Sequence, residues 1–286
     1  MPELPEVETI RRVLDKQIRG QIISRVEIRN KRIVKSSVAI VQKALTRAKI
    51  VKIKRRGKLL IFNLDNEKIL LIHLKMTGQL VWQAVNKKIK VGGHPIIGVV
   101  GVPNKFTRVV LYFKNKGRLF FNDVRKFGYW QVIDQKDLEK IESRFGPEPL
   151  TRVFNKHYLF QVIKNRKRSK IKSVLLDQKV VAGLGNIYID ESLWQAKVKP
   201  SRLVGGLSLN NIRLICSAIK LVIKQAIKFR GTSFNSYIDP RGKEGSYWQQ
   251  RKVYSRQGLA CKRCGDIIIK IKQAGRGTHY CPTCQK

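Results

Sequence analysis

Residues 50–82 read IVKIKRRGKLLIFNLDNEKILLIHLKMTGQLVW. Four short apolar runs (50–53, 59–64, 69–74 and 80–82) are separated by turn signals, among them Asp65 with Asn66 and Thr77 with Gly78. Short, aliphatic runs at hairpin spacing are strands, and successive hairpins build an antiparallel sheet. The same texture extends to 22–28, 109–113, 119–122 and 129–133, with a further turn at 115–117. Strands that follow one another without intervening helices point to an antiparallel sandwich or barrel rather than a βαβ fold. Two helical stretches flank them, 2–17 and about 36–47. In the first, Pro2 and Pro5 suit the opening turn, Glu3, Glu6 and Glu8 suit the positive end of the dipole, and Val7, Ile10 and Leu14 share one face. Residues 84–104 are rich in Gly and Val with little pattern, and read as a long loop or insertion.

Beyond GPEPL at 146–150 the period becomes helical, over 154–164, 171–178, 186–196 and 209–229, with Pro200, Gly205 and Gly206 dividing the last two. The chain is therefore expected to be α+β and multidomain: a β-sandwich with flanking helices at 1–135, a linker at 136–150, a helical domain at 151–240 and a cysteine-rich end at 250–286. Gly183-Leu184-Gly185-Asn186 lacks the third glycine and the preceding strand of a dinucleotide site. It reads instead as helix, two-glycine turn, helix, with Asn186 capping the second helix and the exposed amides there able to grip a phosphate. Just upstream, Lys164, Arg166, Lys167, Arg168, Lys170 and Lys172 form a basic run.

Sixty Lys and Arg stand against 19 Asp and Glu, a formal charge of +41, while 43% hydrophobic and 8% aromatic residues are ordinary globular stock. Basic charge in both halves favours a polyanionic partner, nucleic acid before membrane. No apolar run reaches the roughly 18 residues of a membrane span, and MPELPEVETIRR lacks a signal-peptide apolar core, so a cytoplasmic protein is expected. Of five cysteines, Cys261, Cys264, Cys281 and Cys284 form two C-x2-C pairs sixteen residues apart. Four thiolates on two knuckles close a tetrahedron with no open position, which suits one structural Zn²⁺ on a β-hairpin. Cys216 lies in an apolar helical run and reads as core. Removal of Met1 before Pro2 would leave a secondary amine as the chain terminus, with an unperturbed pKa near 7.7–8, able to attack a sugar C1′ without a helper base.

MPELPEVETIRR, Lys58 in RRGKLL, HLKMTGQL at 73–80, DVRKFG at 123–128, GLGNIYIDESL at 183–193 and the closing CKRCG and AGRGTHYCPTCQK occur in order along nearly the whole chain. Together they resemble the bacterial formamidopyrimidine-DNA glycosylase family. The resemblance implies an N-terminal β-sandwich with flanking helices, a helix–two-turn–helix domain and a C-terminal zinc-finger hairpin. DNA is held between the halves. It implies excision of oxidised purines (8-oxoguanine, formamidopyrimidines) from damaged double-stranded DNA, then strand cleavage by β- and δ-elimination.

By the same resemblance Pro2 is the nucleophile, Glu3 the general acid, Glu6 a support for the terminus, and Lys58 a phosphate contact that assists proton transfer. Met76, Arg125 and Phe127 fill the gap left by an extruded base. Asn186 and Arg276 clamp phosphates around the flipped nucleotide, Arg276 also joining the catalytic set, and Lys167 contacts DNA. On the residues alone, Met76 and Phe127 read as core and Lys58 equally well as strand-edge charge. Residues 230–237 match the family's lesion-recognition loop, and Phe106 stands where many members carry a histidine. The resemblance further implies a monomer associated with the nucleoid. Two other functions fit part of the sequence: an endonuclease VIII-like enzyme for oxidised pyrimidines, and a non-catalytic zinc-containing nucleic-acid-binding protein. The second gives no reason for Pro2 and Glu3.

Overall fold

The computed structural model describes residues 1–85, 90–93, 101–232 and 245–286. Its described residues fall into two compact units, one of Met1–Ser143 with Phe229–Trp248, the other of Arg144–Lys228 with Gln249–Lys286.

The first unit is a sandwich of two antiparallel sheets. Helix α1 (Leu4–Ile18) leads into β1 (Ile23–Ile28) and α2 (Val38–Leu45). The strands β2 (Ile50–Arg56), β3 (Leu59–Leu64), β4 (Ile69–His73), β5 (Gly78–Gln83), β6 (Lys90–Gly93), β7 (Thr107–Phe113), β8 (Arg118–Asp123) and β9 (Tyr129–Ile133) follow. One sheet runs β1-β7-β8-β5-β6, the other β2-β3-β4-β9. Alternation decides which residues meet between them. Val109, Leu111, Leu119, Phe121, Leu80 and Trp82 from the first sheet pack against Ile53, Leu60, Phe62, Leu70, Ile72 and Trp130 from the second. Each such buried side chain contributes about 1.5–3 kcal/mol of transfer free energy. Val7, Ile10, Leu14 and Ile18 of α1 join the same core, so the helix that begins just after Pro2 is seated on the sandwich.

All eight strand runs read from the sequence are present. Two segments differ from that reading. Part of the 84–104 segment is not a loop: Lys90–Gly93 pairs antiparallel with β5, while residues 86–89 and 94–100 lie outside the described residues. Residues 136–142, placed at the start of a linker, belong to α3 (Gln135–Glu142), N-capped by the Asp134 side chain. Its Leu138 and Ile141 cover the outer apolar face of the second sheet, against Leu59, Ile61, Ile69 and Leu71. The charged residues of α3 masked an amphipathic helix eight residues long.

The second unit contains α4 (Lys156–Ile163), α5 (Ile171–Leu176), α6 (Asn186–Gln195) and α7 (Leu209–Lys228). A hairpin of β10 (Ile269–Gln273) and β11 (Arg276–Tyr280) closes the chain. Cys216 on α7 is core, as expected, its thiol pushed up to about 12 by burial. Between α5 and α6, Gly183 adopts φ +89°, a conformation open to glycine without strain. No helix among the described residues is long and apolar enough to cross a membrane.

Candidate active site

In the first unit, Pro2, Glu3 and Glu6 are buried at the start of α1. The Glu3 amide donates to Glu6 Oε2 at 2.9 Å, an N-terminal capping bond. Glu6 Oε1 accepts from the Thr232 amide at 2.9 Å and the Thr232 hydroxyl at 3.2 Å. One carboxylate thus ties the terminus to residue 232, at the edge of the described residues. A Cβ on Gly231, which sits at φ +78°, would lie 2.5 Å from Glu6 Oε1, so glycine is required beside this bond. Residues 233–237 of the expected recognition loop lie outside the described residues.

Lys58 occupies the two-residue turn between β2 and β3, where Arg56 pairs with Leu59. Gly57 takes φ +57° as the first turn residue, the position at which such hairpins need a positive φ. Lys58 is only 8% exposed.

Met76, Arg125 and Phe127 come from two different loops, after β4 and after β8, and the structure brings those loops together. Asp123, fully buried, accepts from the Gly128 amide at 2.7 Å and closely from the Thr77 hydroxyl. Thr77 Oγ1 in turn accepts from the Arg125 amide at 3.1 Å. Gly78 is needed at this junction, because a Cβ there would sit 2.4 Å from the Leu74 carbonyl oxygen. The Arg125 guanidinium lies 4.5 Å over the Phe127 ring, while Phe127 and Met76 are 52% and 36% exposed. The two are therefore not core. Large apolar side chains left in solvent on pinned loops have the form of insertion wedges.

His73, at the end of β4, accepts the Lys75 amide on Nδ1 at 2.9 Å and stacks on Tyr129. Burial, with the charges of Lys75, Lys58 and Lys35, holds its pKa down at about 3. With Nδ1 accepting, the neutral ring carries its proton on Nε2.

In the second unit, Asn186 is the first residue of α6, and Gly185 takes the cap position with no side-chain bond. The expected capping role of Asn186 is therefore corrected. Its Nδ2 instead donates to the Gly277 carbonyl at 2.9 Å, which fixes the amide against the hairpin. Arg276 is exposed and directly follows the turn at Ala274 and Gly275, both with positive φ. Lys167 is exposed in the 164–169 loop, which with Lys164, Arg166 and Arg168 lines a shallow basin of about 450 Å³.

Sequence reasoning missed what holds this hairpin. Lys172, counted in a basic run, is fully buried, 2.5 Å from Asp190 Oδ1. Its ammonium also donates to Thr278 Oγ1 at 2.8 Å and the Gly277 carbonyl at 3.2 Å. Asp190 Oδ2 accepts the His279 amide at 2.9 Å. The next residue, Glu191, accepts three amides, from Lys252, Val253 and Tyr254, at 2.8–3.0 Å. Burial pushes its pKa up, and those three bonds oppose the rise. Spacing in sequence carries no sign of either carboxylate's partner.

Cys261, Cys264, Cys281 and Cys284 place their sulfurs within 4.8 Å of one another. Cys261 to Cys284 is 3.9 Å and Cys264 to Cys281 is 3.5 Å. A tetrahedron with Zn–S of about 2.3 Å has sulfur–sulfur edges of about 3.8 Å, so the four fit one structural zinc ion. The Trp194 indole of α6 donates to Cys261 Sγ at 3.4 Å, and Arg263 lies 3.9 Å over the Trp194 ring.

Family models match the chain in three places. They are the formamidopyrimidine-DNA glycosylase N-terminal domain over residues 1–130, the H2TH domain of the same glycosylase over 145–237, and the zinc finger found in FPG and IleRS over 258–286. Formamidopyrimidine-DNA glycosylases of Desulforamulus reducens and Lactococcus lactis are each 39% identical across the whole chain, covering 99% and 100% of those proteins. Among solved structures, a Lactococcus lactis enzyme bound to Fapy-dG-containing DNA aligns at TM-score 0.87 and 37% identity over 99% of this chain and 100% of that one. A complex of the same species' enzyme with DNA containing an abasic site aligns at 0.87 and 36%, over 99% of both.

Proposed function

The chain belongs to the formamidopyrimidine-DNA glycosylase family, and on that footing we propose that it excises oxidised purines through a Schiff base at Pro2. It is a base-excision-repair DNA glycosylase and abasic-site lyase that acts on damaged duplex DNA. The observation that carries the residue-level reading is the buried start of α1. There Pro2 adjoins two carboxylates, one of them committed to the Glu3 amide and to Thr232.

After loss of Met1, the Pro2 nitrogen attacks C1′ and the glycosidic bond breaks, the electron pair leaving with the base, which takes up a proton. Glu3 protonates the sugar ring oxygen as the C1′–O4′ bond opens, leaving an iminium with no N–H to lose. That cation is an electron sink. Removal of a C2′ proton expels the 3′ phosphate, and a second elimination expels the 5′ phosphate. Water then hydrolyses the Schiff base and returns the free amine. Lys58 contacts the phosphate beside the lesion and assists proton transfer. Met76, Arg125 and Phe127 occupy the space vacated by the extruded nucleotide, whose unstacking costs a few kcal/mol. Asn186, Arg276 and Lys167 bind phosphates, and the zinc ion supplies rigidity to the hairpin that carries Arg276. The protein acts as a monomer, in the cytoplasm and on the nucleoid.

Borohydride trapping tests this reading, with duplexes containing 8-oxoguanine, thymine glycol or an abasic site. A covalent adduct is expected, formed faster with 8-oxoguanine than with thymine glycol and lost when the Pro2 nitrogen is acetylated. An undiminished adduct on the acetylated protein moves the nucleophile to a lysine. Faster release of the pyrimidine lesion moves the substrate to oxidised pyrimidines.

A further inference from the structure

Helix α1 carries a third carboxylate, Glu8, that the mechanism above does not use. It is 9% exposed and gathers guanidinium groups from three arginines. Arg11 donates to both of its oxygens, at 2.9 and 3.1 Å, and Arg12 to one at 2.7 Å. Both are neighbours on the same helix; Arg12 is largely in solvent, and Arg11 reaches β2 only through a long 3.5 Å bond to the Ile53 carbonyl. Arg55 is different. It comes from β2, its side chain is 10% exposed, and its Nε lies 3.1 Å from Glu8 Oε2. The other arm of the same guanidinium, Nη1, donates to the Gly57 carbonyl at 2.8 Å.

That carbonyl belongs to the peptide plane joining Gly57 to Lys58. A planar peptide transmits the orientation of its oxygen directly to the next Cα, and hence to the direction in which the Lys58 side chain leaves the turn. Gly57 at φ +57° gives the turn backbone freedom that a bulkier residue would restrict, so an external brace has something to fix. One planar fork therefore touches both the helix that starts at Pro2 and Glu3 and the peptide that aims Lys58. Burial alone would raise the Glu8 carboxyl. The bonds from Arg11 and Arg12 and the charge of Arg55 instead hold it at about 2, so the anchor stays ionised throughout any working pH range.

We propose that Arg55, anchored by Glu8, is a positioning residue that fixes the Lys58 ammonium relative to the N-terminal end of α1. This rests on the role given to Lys58 above. Lysine cannot replace arginine here, because an ammonium on one flexible stem lacks the planar fork that meets the carboxylate and the carbonyl together.

The experiment is a double-mutant cycle on single-turnover release of 8-oxoguanine, using wild type, Arg55→Lys, Lys58→Ala and the pair. Arg55→Lys is expected to slow base release roughly ten- to hundredfold, the scale of an ångström-level misplacement. Its borohydride trapping on a preformed abasic duplex is expected to stay within about twofold of wild type, since Pro2 is untouched. In the Lys58→Ala background the same change is expected to have no further effect. Multiplicative losses overturn the proposal, as does a wild-type rate in Arg55→Lys or in Lys58→Ala. Should Arg55→Lys not fold, Glu8→Gln removes the anchoring charge at the same shape and goes through the same cycle with the same readings. Wild-type protein that neither releases the base nor traps on the abasic duplex is a separate outcome, and it overturns the functional reading itself.

Discussion

Replacing Lys172 by Met removes a cation from the interior of the second unit and leaves the Asp190 carboxylate without it. Lys172 and Asp190 are both fully buried and 2.5 Å apart. Breaking a buried pair by deleting one partner costs about 3–5 kcal/mol, because the remaining charge is stranded in low dielectric. The Thr278 hydroxyl and Gly277 carbonyl also lose a donor. The expected destabilisation of this unit is therefore about 3–5 kcal/mol, or between two and four orders of magnitude in its unfolding equilibrium. Urea unfolding followed by Trp194 emission, in a background with Trp82, Trp130 and Trp248 replaced by Phe, measures it, since Trp194 belongs to this unit while the other three tryptophans belong to the other. Adding Asp190→Leu to Lys172→Met is expected to restore at least half of the loss, the signature of a pair whose attraction and desolvation nearly cancel. A single-variant loss below about 1 kcal/mol refutes the reasoning, because a stranded buried carboxylate cannot be that inexpensive.

Three further outcomes are expected. His73 is neutral in the folded state down to about pH 3 but binds a proton near 6.5 when unfolded, so unfolding takes up a proton between those values. Stability of the first unit should fall as pH drops from 6.5 towards 3, and His73→Gln should flatten that limb in acid titrations; an unchanged limb assigns it to other groups. Chelation of zinc should shift Trp194 emission, a shift absent in Trp194→Phe, and should weaken duplex binding in parallel; binding lost with no change in emission denies the link through Cys261. Arg276→Ala should make the slope of log K against log salt less negative by about 0.9, one phosphate contact; an identical slope argues against that contact.

The strands were legible because short apolar runs bounded by turn residues are a local signal, whereas 59–64 and 69–73 are apolar on both faces and so did not say which face meets the other sheet. The zinc site was legible because each cysteine pair lies within three residues. The pairing of Thr77 with Asp123 was not, since its partners are 46 residues apart and neither has an unusual local context. Lys172 was misread for the opposite reason. Its neighbours Arg168 and Lys170 are solvent-facing, and only the fold turns position 172 inward. Asn186 has the composition of a helix cap, but backbone geometry gives that place to Gly185 and frees the amide for the hairpin. Pro2 showed its chemistry as a terminal secondary amine, but Glu3, Lys58 and Arg276 could be nominated only through family resemblance, for no spacing rule sets a secondary amine beside its carboxylates.

Helix α6 meets the cysteine-bearing segment along its whole length: Asn186 at one end, Asp190 and Glu191 midway, Trp194 at the other. The finger is thus no exchangeable cassette. Grafting in a hairpin from a distant relative would leave two buried acids facing foreign backbone, so any change in α6 must find its answer in the last forty residues. Helix and finger are one mechanical piece.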